Sequence, residues 1–172
     1  MNERLFVKLL YYPEQEITIE DVKQFCLGSS ENDRVEYKRW HDKFDVEKLV
    51  QRIVAMANTD GGLIFIGVVE EKDTGGRRDY AGGIEGIPLK EANSLKQSIE
   101  ARCFNLTTPK WIPEILHISG LESEKSVLLI RIDPDKIERP LLFNEKNKLI
   151  GPFYSQRNRV SPTFLGRNVK NS

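Results

Sequence analysis

Three glutamates and a lysine in the first half of the chain could carry out chemistry together. Glu31 and Glu36 are five positions apart, and a loop that folds back over the start of a strand would bring both carboxylates to one point. A divalent cation would offset their repulsion, and Glu70, which follows a buried apolar run, is a third candidate ligand. Such a site suits Mg2+ or Mn2+, which would activate water while Lys38 steadies the charge on a phosphate.

The spacing of these residues supports that chemistry only weakly. Residues 36–38 have the E-x-K spacing of many metal-dependent nucleases, yet the same spacing arises by chance on charged strands. Glu70 also fits a solvated loop at the end of a strand. Other chemistries find less support, because the glycine pairs at 75–76 and 82–83 match no nucleotide-binding loop and no serine lies in a nucleophile elbow.

A helix followed by a buried strand is predicted to position the acidic residues. Asp45 is a suitable N-cap, and apolar residues recur after it at helical spacing through Ala57. Gly61 or Gly62 can adopt the left-handed backbone conformation that ends a helix. Residues 63–69 are apolar almost throughout, which predicts a central strand that is covered on both faces.

A second strand is predicted to present Glu36 and Lys38 together. Residues 34–40 alternate in character, with Val35 and Tyr37 on one side. Because successive side chains of a strand point to opposite faces, Glu36 and Lys38 project from the same face.

The order of elements predicts an α+β fold in which helices pack on a mixed, largely antiparallel sheet. A chain of 172 residues can bury one core, so a single domain at residues 29–172 is expected to follow a helical preface at residues 1–28. A capping box at Thr18 opens a helix in that preface. The further predicted elements are a helix at 88–104, strands at 115–118 and 126–132 joined by a turn at Gly120, a strand at 153–156, and a helix that begins at Ser161 and Pro162.

The charge balance argues against a strongly basic protein. The chain has 26 Lys and Arg residues and 26 Asp and Glu residues, so its formal net charge is zero. Bases outnumber acids near the end of the chain, where they form either one basic face or a solvated tail. Cys26 and Cys103 are isolated and no apolar run reaches membrane-spanning length, so we expect a cytoplasmic protein with reduced thiols and no membrane partner.

The order of four short motifs is more specific than any one of them. They are Glu31-x4-Glu36-Tyr37-Lys38, then Ala55-Met56-Ala57-Asn58-Thr59-Asp60-Gly61-Gly62, then Ile66-Gly67-Val68, and finally Phe153-Tyr154-x-x-Arg157 with Ser161. In this order the motifs resemble the AlbA-like domain of the Schlafen family. The resemblance covers most of the chain from Glu31 onward.

The resemblance implies an α+β fold that binds nucleic acid, with RNA favoured over DNA. Some Schlafen members are metal-dependent endoribonucleases that cleave structured RNA such as tRNA. By position, the resemblance assigns their catalytic trio to Glu31, Glu36 and Glu70, with Mg2+ or Mn2+ as the metal. The third acid of the family is usually aspartate, so the longer Glu70 would have to adjust its ligand geometry. Animal members build a groove from two linked lobes, which a homodimer of this chain could rebuild.

Three functions are compatible with these residues. As a metal-dependent endonuclease, the chain would hold the metal with its three glutamates and contact the scissile phosphate through Lys38. As a noncatalytic nucleic-acid-binding module of a regulatory or phage-defence protein, it would use the acids structurally. As an assembly module, it would bind a partner protein. The residues assigned to nucleic-acid binding are Lys38, Arg39, Lys148, Arg157 and Arg159.

Overall fold

In the computed structural model, residues 1–76, 79–146, 148–156 and 159–162 are described, the last two ranges by their backbone alone. Each of the first three helices in this part of the chain begins at a polar side chain that accepts a hydrogen bond from a free backbone amide. None of the described helices is long and apolar enough to span a membrane. The α-helices are α1 (Glu3–Tyr11), α2 (Ile19–Leu27), α3 (Val46–Ala57) and α4 (Leu89–Leu106).

Three of the helix starts that the sequence predicts, at Thr18, Asp45 and Pro88, are confirmed. Thr18 and Asp21 form both hydrogen bonds of a capping box at the start of α2. Asp45 caps α3 by accepting a hydrogen bond from the backbone amide of Lys48 at 3.0 Å. Helix α4 follows directly after Pro88, as predicted.

The strands of the described part form three sheets of five, four and two strands. In chain order they are β1 (Val35–Lys38), β2 (Gly62–Ile66), β3 (Val68–Lys72), β4 (Asp79–Ile84), β5 (Ile87–Pro88), β6 (Thr107–Thr108), β7 (Glu114–Leu121), β8 (Lys125–Ile132), β9 (Leu142–Glu145), β10 (Lys148–Gln156) and β11 (Arg159–Pro162).

The five-stranded sheet is the centre of the fold. Its order is β1-β2-β8-β5, and β7 also pairs with β8. Strands β1 and β2 are parallel, whereas β8 is antiparallel to β2, β5 and β7. Strands β6, β9, β10 and β11 form the four-stranded sheet, and all of its pairs are antiparallel. The predicted α+β fold with a mixed, largely antiparallel sheet is therefore confirmed.

Helices cover both faces of the central sheet, so strand β2 is buried on both sides. Leu63 and Phe65 belong to an apolar cluster with residues of α1 and α2. Ile64 and Ile66 belong to a second cluster with residues of α3 and α4. Because alternate side chains of a strand point to opposite faces, this strand lies between two helical layers, as its apolar sequence predicts.

The buried strand is shorter than the sequence predicts, because the chain turns at Gly67. Strand β2 ends at Ile66, and Gly67 has a positive φ of 104°. Its amide donates to the carbonyl of Lys38, and its carbonyl accepts from Glu85 and Gly86. The next strand, β3, leaves the central sheet and pairs with β4 alone. This turn places Glu70 beside β1.

Two local predictions in the second half of the chain are wrong. Gly120 lies inside β7, at an irregularity in its pairing with β8, and the turn is formed further on, where Ser123 and Glu124 have positive φ. Ser161 and Pro162 lie in β11, paired with residues of β10, and do not start a helix. Proline is tolerated there because β11 is an edge strand of its sheet.

Candidate active site

Strand β1 presents Glu36 and Lys38 on the side away from the α1 and α2 layer. Val35 and Tyr37 alternate with them and are fully buried in that layer's apolar cluster. The predicted alternation is therefore confirmed, and it gives Glu36 and Lys38 a rigid position on an edge strand of the central sheet.

The ammonium of Lys38 lies between two carboxylates. Its Nζ atom is 2.8 Å from Oε1 of Glu36 and 2.7 Å from Oε1 of Glu70. Burial alone would lower the pKa of Lys38, but the negative charges and hydrogen bonds of Glu36 and Glu70 outweigh it and raise the pKa. Lys38 is therefore firmly cationic at neutral pH.

Glu31 is the third acid near this point. Its backbone amide donates to the carbonyl of Asp79 at 2.8 Å, and its Oε1 atom accepts from the backbone amide of Tyr37 at 2.6 Å. Burial and the charge of Glu36 raise the pKa of Glu31 to about 7, although the hydrogen bond from Tyr37 opposes this rise. Glu31, Glu36, Lys38 and Glu70 are called the acid–lysine cluster below.

Arg52 is a site residue that the sequence reasoning missed. Its Nε atom donates to Oε2 of Glu36 at 2.8 Å, and its side chain is only 8% exposed. Glu36 thus contacts Lys38 with one carboxylate oxygen and Arg52 with the other. The sequence contained a signal, because Arg52 is three positions after Leu49 and so lies on the apolar stripe of α3. A charge on such a stripe needs a buried partner.

The cluster forms the floor of a cleft with a volume of about 860 Å³. The opposite wall comes from the segment after β1 and from the first turns of α3. Arg39 lies at this cleft and makes two hydrogen bonds to Glu85, at 2.9 and 2.6 Å. Lys43 and Lys48 also line the cleft and are exposed. The acid–lysine cluster and Arg52 are therefore the less exposed floor of the cleft, and the exposed residues Lys43 and Lys48 lie at its rim together with Asp45.

The structure brings together every predicted catalytic residue but not every predicted nucleic-acid contact. Glu31, Glu36, Lys38 and Glu70 all line one cleft, together with Arg39. Lys148 and Arg159 lie on β10 and β11, where only the backbone is described. Arg157 lies outside the described residues. The basic residues that do lie beside the cluster are His41, Lys43, Lys48 and Arg52.

The donor types of the cluster fit a hard divalent cation, but their present positions do not form a metal site. Carboxylate oxygens are the ligands that Mg2+ and Mn2+ prefer. Oxygens of Glu36 and Glu70 already converge on one positive charge, the ammonium of Lys38. Within the described residues, however, no three Asp, Glu, His or Cys side chains are grouped closely enough to hold a metal ion. Lys38 and Arg52 compensate the acids instead.

A family model matches most of the chain, including every residue of the candidate site. The model described as Schlafen, AlbA_2 matches residues 31–162, a range that contains the whole acid–lysine cluster and Arg52. The chain belongs to this Schlafen AlbA_2 family. The resemblance that the four ordered motifs indicate is therefore confirmed, and the family match begins at Glu31, the first acid of the cluster.

A solved structure supports the fold of this Schlafen AlbA_2 domain. The N-terminal domain of a RecG-related protein from Nitrosomonas europaea, determined by solution NMR, aligns with a TM-score of 0.57. The alignment covers 91% of this chain and 99% of that chain at 16% sequence identity. At this identity the likeness shows the fold alone. A comparison with curated proteins gives no match.

Proposed function

We propose that this chain binds nucleic acid in the cleft and is a metal-dependent endoribonuclease acting on structured RNA such as tRNA. The observation that carries this proposal is the convergence of Glu36 and Glu70 on one cationic group at the floor of a cleft with exposed lysines at its rim. Membership of the Schlafen AlbA_2 family supports a role with nucleic acid. The structural relative, named as ATP-dependent DNA helicase RecG-related, is consistent with that role.

The rim supplies the groups that would bind a phosphate backbone. Lys43 and Lys48 are exposed beside the cleft and form no ion pair with a described residue. Their charges are therefore available to phosphates, whereas Arg39 would first have to leave Glu85. Acids near a phosphate oppose binding unless positive charge lies between them, and Lys38 supplies that charge at the floor.

The floor supplies the groups that would carry out hydrolysis. Glu31, Glu36 and Glu70 would hold Mg2+ or Mn2+, which when bound supplies an activated water and stabilises charge on the phosphate. Lys38 would donate hydrogen bonds to a phosphate oxygen of the substrate. Arg52 would keep the carboxylate of Glu36 in place from inside the domain.

A noncatalytic nucleic-acid-binding module is the second candidate, and one specific observation favours it. Both carboxylate oxygens of Glu36 are already hydrogen-bonded to cations, Lys38 and Arg52. Acids that are compensated in this way can be purely structural. In that case the cleft would hold a phosphate backbone without cutting it.

Cleavage assays with labelled tRNA, single-stranded RNA and duplex DNA in Mn2+, Mg2+ or EDTA separate the two candidates. We expect the wild type to cut tRNA only with metal, and Glu36→Gln to lose this activity while still binding RNA. Glu91→Gln, which changes an exposed acid on α4 away from the cleft, should cut like the wild type. If no protein cuts any substrate and all bind RNA equally in gel-shift assays, the noncatalytic module is the better description.

The salt dependence of binding tests the rim. On a single-stranded nucleic acid, each lysine that neutralises a phosphate contributes about 0.7 to the magnitude of the slope of log affinity against log salt concentration. Lys43→Gln and Lys48→Gln should therefore each lower the slope for a single-stranded RNA by roughly 0.7. Lys90→Gln, an exposed lysine on α4, is the matched control and should leave the slope unchanged. Equal slopes for all four proteins would place the binding surface elsewhere.

We also propose that two copies of the chain form the complete groove. The cleft of one chain has a volume of about 860 Å³, whereas folded RNA offers phosphates over a much longer surface. Sedimentation equilibrium with and without tRNA tests this proposal. A monomer under both conditions, at concentrations where RNA is bound, would contradict it.

A further inference from the structure

Lys38 lies between Glu36 and Glu70, where a cation held by both carboxylates would also lie. Its ammonium contacts one oxygen of Glu36 at 2.8 Å and one oxygen of Glu70 at 2.7 Å. Mg2+ binds carboxylate oxygens at about 2.1 Å, so a divalent cation on the same two oxygens would lie beside the ammonium, and the two positive charges would repel each other. The ammonium and a divalent cation therefore compete for these two oxygens.

The charge of the site depends on the position of Lys38. With all groups ionised, the three carboxylates face one ammonium and one guanidinium, so the formal charge is −1. If the ammonium moves away, the same groups carry a formal charge of −2. That charge is complementary to one divalent cation, while the charge with Lys38 in place is not.

Lys38 has space to move, and a bound phosphate would attract its ammonium away from the acids. Its side chain is 34% exposed and lines the open cleft, whereas the side chain of Arg52 is 8% exposed and fixed from inside α3. A phosphate attracted by Lys43 and Lys48 would offer the ammonium a new anionic partner. Of the two cations that compensate the acids, Lys38 is therefore the one that a substrate can draw out.

We propose that Lys38 couples the binding of nucleic acid to the binding of a divalent cation. A phosphate of the nucleic acid draws the ammonium away from Glu36 and Glu70, and the cation then binds to the oxygens that are released. This coupling rests on the proposed function, because both ligands must use the same cleft. Coupling between two ligands is reciprocal, so each raises the affinity for the other by the same factor.

Titration of Mn2+ into the protein without nucleic acid tests the competition between ammonium and metal. By isothermal titration calorimetry, Lys38→Met should bind Mn2+ about tenfold more tightly than the wild type, because the internal competitor is gone. Lys38→Gln should behave in the same way. Lys23→Met is the matched control, because it removes an ammonium paired with Glu20 at 2.9 Å on α2, outside the cleft. It should keep the wild-type affinity.

The same titration in the presence of a 2′-O-methyl RNA oligonucleotide tests the coupling. This probe carries the phosphates of RNA but lacks the free 2′-hydroxyl, and gel electrophoresis after each titration checks that the metal-activated water has not cleaved it. We expect the oligonucleotide to raise the Mn2+ affinity of the wild type by about fivefold or more. In Lys38→Met the oligonucleotide should raise it by less than about twofold, because the coupling residue is absent.

The outcomes distinguish this coupling from the proposed function. Equal Mn2+ affinities of wild type and Lys38→Met, with both shown to be folded by circular dichroism, would overturn the competition. An oligonucleotide that binds but leaves the wild-type Mn2+ affinity unchanged would overturn the coupling. If the oligonucleotide does not bind at all, the proposed function fails, while tighter Mn2+ binding by Lys38→Met would still support the competition.

Discussion

At the scale of single residues, Glu31 is held between opposing influences on its charge. The backbone amide of Tyr37 stabilises the carboxylate through a hydrogen bond of 2.6 Å. Burial and the neighbouring charge of Glu36 disfavour the same carboxylate and raise its pKa to about 7. A group that exchanges its proton near neutral pH in a cleft is suited to acid–base chemistry.

The raised pKa of Glu31 makes stability depend on pH. The folded protein binds the proton of Glu31 more tightly than the unfolded chain does. This proton therefore makes its full contribution to the stability of the fold below pH 4.5, and the contribution is lost as the pH rises through about 7. In Glu31→Gln, the amide oxygen can still accept the hydrogen bond from the backbone of Tyr37. Because glutamine has no proton to release, this variant does not lose stability as the pH rises. We expect the variant to gain roughly 2 kcal/mol on the wild type between pH 4.5 and 8 in urea denaturation.

A matched control separates this effect from a general loss of negative charge. Glu91→Gln changes an exposed acid on α4 and should follow the wild type at every pH. Parallel stability curves for Glu31→Gln and the wild type would show that the environment of Glu31 does not disfavour its charge.

The ion pair between Arg52 and Glu36 permits a second test at this scale. Arg52→Met leaves the carboxylate of Glu36, whose side chain is 14% exposed, without its partner on α3. We expect a loss of about 3 kcal/mol in the free energy of unfolding. Adding Glu36→Gln should restore part of this loss, since the uncompensated charge is then removed. Strictly additive effects in the double mutant would contradict this interpretation.

Residue types and their spacing were sufficient to predict which acids lie together in the cleft but not which cations compensate their charge. Glu31, Glu36, Lys38 and Glu70 could be assigned from the ordered motifs and from strand alternation. Arg52 was missed because its partner is 16 positions away on another element. Such a pairing depends on how α3 packs against β1, which the sequence of neither element specifies.

At the scale of elements, the contacts of the segment between α3 and β2 explain why it consists of polar and glycine residues. The side chain of Asn58 donates to the carbonyl of Leu141 at 2.8 Å and accepts from its amide at 2.7 Å. Gly61 has a positive φ of 64° and passes close to the backbone of Ile132. Polar and glycine residues are therefore needed here because the segment contacts neighbouring backbone directly.

Gly62 is the position in this segment where a side chain should be least tolerated. Its φ is 142°, and a Cβ atom would collide with the carbonyl of Arg34. Because β1 begins immediately after Arg34, Gly62→Ala would push β2 away from the strand that carries Glu36. We expect Gly62→Ala to lower the free energy of unfolding by about 3 kcal/mol in urea denaturation.

Gly83 provides the control for this substitution. It lies in β4, and a Cβ atom there would have no heavy atom within 4 Å. Gly83→Ala should therefore change the free energy of unfolding by less than about 1 kcal/mol. A similar loss of unfolding free energy in both variants would indicate that the close approach of Gly62 to Arg34 does not cause the destabilisation.

The ends of helices and strands could be predicted where neighbouring residues determine them, but not where residues distant in the sequence do. The caps at Thr18 and Asp45 act within one turn of their helices, so their sequence is sufficient to place them. The end of β2 is set at Gly67, whose carbonyl accepts hydrogen bonds from Glu85 and Gly86. No pattern within residues 63–69 contains those partners.

At the scale of the whole molecule, the first two helices are part of the domain core. Phe25 packs against Phe6 and Phe65, with ring centroids 6.2 and 5.6 Å apart. The buried side chain of Arg131 donates to the carbonyls of Leu9 and Tyr12, both at 2.6 Å. One face of the central sheet is therefore covered by residues of the first 28 positions.

Removal of residues 1–28 should therefore affect the entire fold. The truncated chain would expose the face of the sheet formed by Val35, Tyr37 and Phe65, all of them fully buried in the intact protein. We expect it to lose cooperative thermal unfolding and to bind the dye ANS, as proteins with exposed apolar surface do. A truncated protein with the same melting temperature as the full chain would show that the preface is dispensable.

The sequence allowed the fold class to be predicted more readily than the path of the chain. Alternating and continuous apolar runs indicated helices on a largely antiparallel sheet, which the topology confirms. That β1 is parallel to β2, and that β3 leaves the central sheet, could not be read from the same runs. Pairing partners depend on long-range packing, whereas hydrophobic periodicity reports only which face of an element is buried.

The most direct test of the central claim is to locate bound RNA by NMR. Chemical-shift changes of the 15N-labelled protein would be followed during titration with a single-stranded RNA oligonucleotide in EDTA. We expect the largest changes at the amides of Tyr37, Lys38 and Lys48, around the acid–lysine cluster and its rim. Changes confined to α4 or to the outer face of α1, with the cleft unaffected, would contradict the assignment of this cleft as the nucleic-acid site.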